Sequence, residues 1–74
     1  MQEAPGGRLS REVRRALQLA AEGLGTAAIA ERLGCERDAV QRHLAEAIRA
    51  LAACSVPEAI RIAARDGLIG PSGA

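Results

Sequence analysis

From Leu9 to Ile69 apolar residues return three and four positions apart, the spacing that lines up one face of an α-helix. Four such runs follow one another, and none alternates with the period of two that a half-buried strand needs. Val13, Ala16, Leu17 and Ala20 form the first stripe behind Ser10, a good N-cap, and predict a helix over 10–22. Gly23 then supplies a left-handed stop, with Leu24 placed for the apolar contact that accompanies such caps. Thr26 is the expected cap of a short second helix over 27–33, which buries Ile29, Ala30 and Leu33 before Gly34 ends it in the same way. The third helix, over about 37–52, sets Val40, Leu44, Ala47, Ile48 and Leu51 on one face. Ser55-Val56-Pro57-Glu58 reads as a capping box with proline in the first turn, where no intrahelical N–H is needed. It opens a fourth helix over 56–66, and Gly67-Leu68 repeats the stop. The pattern predicts an all-α, four-helix domain over 9–69 with no sheet. Pro5-Gly6-Gly7 makes residues 1–8 a flexible lead-in, and residues 70–74 a flexible tail.

The outer face of the third helix is polar where a short surface helix needs only to be solvated: Arg37, Asp38, Gln41, Arg42 and Ala45. A short helix, a tight turn through "GCE" and a longer helix with such a face form a helix-turn-helix. That unit presents the N-terminal half of its second helix to the DNA major groove. Gln can pair bidentately with adenine and Arg with guanine, and the short Ala45 side chain allows close approach or contact with a thymine methyl. A solvated face with no ligand satisfies the same spacing.

Composition changes the picture in two places. At 74 residues without a single aromatic side chain, the core must come from Leu, Ile and Val with Ala as spacer. A domain of this size buries only about 60% of its unfolded surface, so a second copy or a bound partner is expected to help it. The formal net charge is +1, which announces no nucleic-acid partner in bulk, but all ten basic residues are Arg and none is Lys. Arg is the better fork for phosphate and guanine, although abundant Ala, Arg and Gly also suit a GC-rich bacterial genome.

Other chemistry has little to stand on. "GLGTAA" at 23–28 matches a dinucleotide fingerprint, but it follows a helix instead of a strand, in a chain too short for a doubly wound sheet. His43 and Glu46 lie one turn apart with no nucleophile arranged beside them, so no catalytic residue is assigned and no enzyme activity is expected. Cys35 and Cys54 are neither a CxxC pair nor, with the lone His43, a usual zinc set; two reduced thiols are expected, and no metal or cofactor. Cys35, behind Gly34, takes the place of an apolar turn residue, with redox sensing as the other reading. No signal peptide or bilayer-spanning stretch is evident, which gives a soluble, cytoplasmic protein with no membrane partner.

Leu9-Ser10, Ala21-Glu22-Gly23-Leu24, Ile29-Ala30-Glu31-Arg32-Leu33-Gly34, Val40, His43-Leu44, Leu51, Glu58-Ala59-Ile60, Ala63 and Gly67-Leu68-Ile69 fall in an order and spacing that resembles the LuxR/GerE-type DNA-binding domain. Such domains close many bacterial response regulators and quorum-sensing receptors. The resemblance covers Leu9 to Ile69. It departs at Thr26-Ala27-Ala28, at Glu36 where a Ser usually caps the recognition helix, and at Ala39-Val40-Gln41 where Thr-Val-Lys is usual.

The resemblance implies a sequence-specific bacterial transcription regulator that binds double-stranded DNA, with RNA polymerase as a further partner. The expected DNA-binding residues are Thr26, Arg37, Gln41, Arg42, His43, Ala45 and Arg49. It also implies that the fourth helix pairs two copies on an inverted repeat. Ala59, Ile60 and Ala63 suffice to dock that helix on its own core, which leaves Ile62, with Glu58, Arg61 and Arg65 around it, as the dimer contact. Two alternatives stay open: a helix-turn-helix that serves as a protein-interaction module, and a domain like the promoter-reading end of a sigma factor.

Overall fold

The computed structural model describes residues 9–70. Among them the elements are α1 (Arg11–Ala21), α2 (Thr26–Leu33), α3 (Arg37–Ala50) and α4 (Val56–Arg65), with no strand. The expected lead-in at 1–8 and the tail beyond Gly70 lie outside the described residues.

Local chemistry sets most boundaries. Ser10 is extended and its Oγ accepts the Val13 N–H at 3.3 Å, which satisfies one of the donors that a helix start leaves open. At the other end Gly23 takes φ +96°, and the N–H groups of Gly23 and Leu24 donate to the Ala20 and Leu19 carbonyls. The same pair of bonds closes α2 through Gly34 and Cys35, and α4 through Gly67 and Leu68. Leu24, Cys35 and Leu68 each turn back into the core, so every stop carries its apolar contact.

Three boundaries differ from the sequence reading. Thr26 is the first residue of α2 and not its cap: extended Gly25 takes that place, its carbonyl accepting the Ile29 N–H at 2.9 Å and no side chain capping the end. α3 stops at Ala50, short of 52, because Ala52 adopts φ +55° and lets Ala53 donate to the Ile48 carbonyl. In the α4 box Ser55 accepts from the Glu58 N–H as expected, but the Glu58 carboxylate accepts from the Cys54 N–H at 2.7 Å, one residue before the cap.

Two apolar clusters hold the helices. Ala16, Ile29, Ala30 and Val40 join α1, α2 and α3, with Leu19, Leu24, Leu33 and Cys35 packed around them. Val13, Leu17, Ala47, Leu51, Ala59 and Ala63 join α1, α3 and α4, closed by Leu9, Leu68 and Ile69. Leu44 packs against both, so one face of α3 serves the helix-turn-helix with its first half and α4 with its second. Ala47, Ala59 and Ala63 are fully buried, which lets α3 and α4 approach closely without aromatic filling. Ile62 is not spare: it is half-buried and packs against the second cluster, as does Ile60. Gly70, placed by the sequence in a flexible tail, donates its N–H to Gln18 Oε1 at 2.7 Å and ties the chain after α4 to α1.

Candidate nucleic-acid interface

The turn between α2 and α3 is built from three residues with separate tasks. Gly34 at φ +69° reverses the chain where a side chain would be strained, and Cys35 donates to the Ala30 carbonyl at 3.0 Å while its half-buried side chain packs inward. Glu36 is extended and its carbonyl accepts from Ala39 and Val40, but its side chain caps nothing. Glu36 therefore leaves the first N–H groups of α3 uncapped, at the positive end of the helix dipole.

Val40 and Ala47, both fully buried, fix how α3 is rotated. With about 100° between successive residues, Arg42 and Arg49 fall opposite that buried line and close to one another in azimuth, two turns apart. Arg37, Gln41 and Ala45, four apart, form the neighbouring row. All five are exposed, and among the described residues no ion pair engages Arg37, Arg42 or Arg49. Asp38 and Glu46 are exposed on the same side, so the face mixes signs instead of forming a uniform basic strip.

His43 and Thr26 are placed differently. His43 is half-buried on the opposite flank of α3 from Gln41. There it lines a cleft of about 310 Å³ with Arg11, Glu12 and Arg15 of α1, Arg32 and Leu33 of α2, and Cys35 of the turn. Thr26 is half-buried at the start of α2. The arrangement thus groups Arg37, Gln41, Arg42, Ala45 and Arg49 on one surface and turns His43 toward α1. The cleft went unread in the sequence; its one linear signal is Arg11 and Arg15, four apart on the outer side of α1.

The expected dimer residues do lie together. Glu58, Arg61, Ile62 and Arg65 line a cleft of about 480 Å³ with Leu51, while Arg65 Nε also bonds Asp66 Oδ1 at 3.1 Å. The Glu58 carboxyl is held below its usual 4.5, first by the Cys54 N–H, then by the Cys54 thiol, with Arg61 adding a smaller effect.

Residues 7–51 match the family model for sigma-70, region 4. The chain belongs to the sigma-70 region 4 family. The match runs through α1, α2 and α3 and stops at Leu51, the C-cap of α3, so α4 lies beyond it. Region 4 membership and the α2–turn–α3 geometry make this a helix-turn-helix DNA-binding domain. The LuxR/GerE resemblance holds at that shared level. Searches of curated proteins and of solved structures find no match. Among the described residues no helix is long and apolar enough to cross a membrane.

Proposed function

We propose that this region 4 chain reads promoter DNA with the outer face of α3, as a binding domain without catalysis, working beside RNA polymerase in the bacterial cytoplasm. The observation that carries the reading is the row of exposed donors on α3, none of them in an ion pair among the described residues, held in register by fully buried Val40 and Ala47 in a chain of this family. Gln41 and Arg42 sit within the second turn of α3, where a recognition helix enters the major groove, and would meet base edges. Arg49, two turns further along, would hold phosphate. With formal charge +1 the domain has little long-range pull on DNA, so affinity must come from these local contacts and fall with salt by a few counterions only.

A second reading keeps the dimer. α4 lies outside the family match, and Glu58, Arg61, Ile62 and Arg65 line one cleft there, which favours a LuxR/GerE-like regulator paired through α4. Selection of bound sequences from random duplex DNA separates the two. One unrepeated motif supports promoter reading, an inverted repeat supports the paired regulator, and no enrichment at low salt sinks DNA reading altogether.

A further inference from the structure

We propose that the cleft between α1, the last turn of α2 and the inner flank of α3 docks a segment of a partner protein that carries an apolar side chain flanked by Asp or Glu. Charge is the first argument. Three guanidinium groups, from Arg11, Arg15 and Arg32, face the cleft against the single carboxylate of Glu12, in a chain whose formal charge is only +1. Among the described residues none of these arginines is held in an ion pair. Arg11 is the first residue of α1, at the positive end of the helix dipole, where a cation costs about 0.3–1 kcal/mol. Helix stability therefore does not account for its charge, whereas an anionic ligand does.

The lining chooses between anionic ligands. Leu33 and Cys35, both half-buried, give the cleft an apolar side, and its volume of about 310 Å³ leaves room for a side chain. Ligand pockets start at about 300 Å³. A DNA backbone has phosphates for the arginines and nothing apolar for Leu33 and Cys35. A peptide with one apolar residue between acidic ones satisfies both, and arginine clusters are a recurring mode of acidic-motif recognition. Position agrees with this. His43 is about 100° around α3 from Arg42, so a segment seated against it leaves the outer face open to a duplex.

A random peptide library displayed on phage, panned against the full chain, tests the proposal. Enriched peptides are expected to place an apolar residue among Asp or Glu, and as synthetic peptides to bind at least about tenfold more weakly to Arg15→Glu/Arg32→Glu, a loss of about 1.4 kcal/mol. Replacing the apolar residue by Ser in the peptide is expected to weaken binding as well. Because Arg15 and Arg32 are exposed, circular dichroism should find the double variant folded, and Arg15→Ala/Arg32→Ala repeats the measurement without introducing repulsion. No acidic-apolar enrichment, or binding to both variants as tight as to the parent, overturns the proposal. So does a duplex that loses as much affinity for Arg15→Ala/Arg32→Ala as for Arg42→Ala, since the cleft would then be a DNA surface.

Discussion

Ala53 ends α3 by donating its N–H to the Ile48 carbonyl at 2.9 Å, and Ala52 between them is held at φ +55° to allow it. At the other three helix ends a glycine takes this conformation. An L-residue there costs about 1–2 kcal/mol, partly offset because glycine loses more freedom on folding. Ala52→Gly is expected to stabilise the domain by roughly 1 kcal/mol, read from urea denaturation midpoints at unchanged slope. A destabilised variant would mean that the Ala52 methyl contributes more than its strain costs.

The start of α3 offers a second gain. Glu36 brings a favourable charge to the helix end, but its side chain makes no capping bond. Glu36→Asp keeps the charge and shortens the reach, so it should add about 0.5–1 kcal/mol. Thermal melts of the two proteins at matched pH check this, and an unchanged midpoint would show that the shorter carboxylate also fails to cap.

Acid should loosen the entry to α4. The bond from the Cys54 N–H, and after it the Cys54 thiol, hold the Glu58 carboxyl below its usual 4.5. A depressed carboxyl stabilises the fold above its unfolded value, and that contribution is lost as pH falls through the folded one. The melting temperature should therefore drop more steeply below pH 4.5 in the parent than in Glu58→Gln. Parallel acid profiles would remove the capping bond from the account.

Reading and holding DNA should separate on α3. Arg42→Ala is expected to cost about 1–3 kcal/mol on the preferred site and to flatten discrimination at one base position. Arg49→Ala should weaken all duplexes alike and reduce the salt slope by roughly one counterion. Fluorescence anisotropy on selected and scrambled duplexes across a salt series measures both. An unchanged specific-to-scrambled ratio for Arg42→Ala would show that the arginine reads no base.

Self-association must be tested away from Ile62. Its half-buried side chain packs on the α3–α4 cluster, so Ile62→Glu should lower the melting temperature of the monomer itself. Arg61 is exposed on the same cleft, and Arg61→Glu should weaken any pairing through α4 while leaving the melt unchanged. Sedimentation of Arg61→Glu and the parent, with and without duplex, decides; identical behaviour in both conditions removes α4 as an interface.

All four helices were legible in the residues alone, because apolar stripes mark each of them and a glycine stop closes three. Ser10 and Ser55 cap, Gly23, Gly34 and Gly67 reverse the chain, and stripes such as Val13–Ala16–Leu17 mark the buried sides. The sequence also determined the outer face of α3, since burying Val40 and Ala47 leaves Arg42 and Arg49 nowhere to point but outward. Ala52 was illegible, because alanine is a strong helix former and does not advertise a left-handed stop. The surroundings of Ile62 and His43 were illegible for a related reason. Helical spacing gives the angle of a side chain around its own axis, but not which neighbouring helix stands at that angle. Only the tertiary structure set α1 beside the His43 flank of α3, and so brought Arg11, Arg15 and Arg32 from two helices around one cleft.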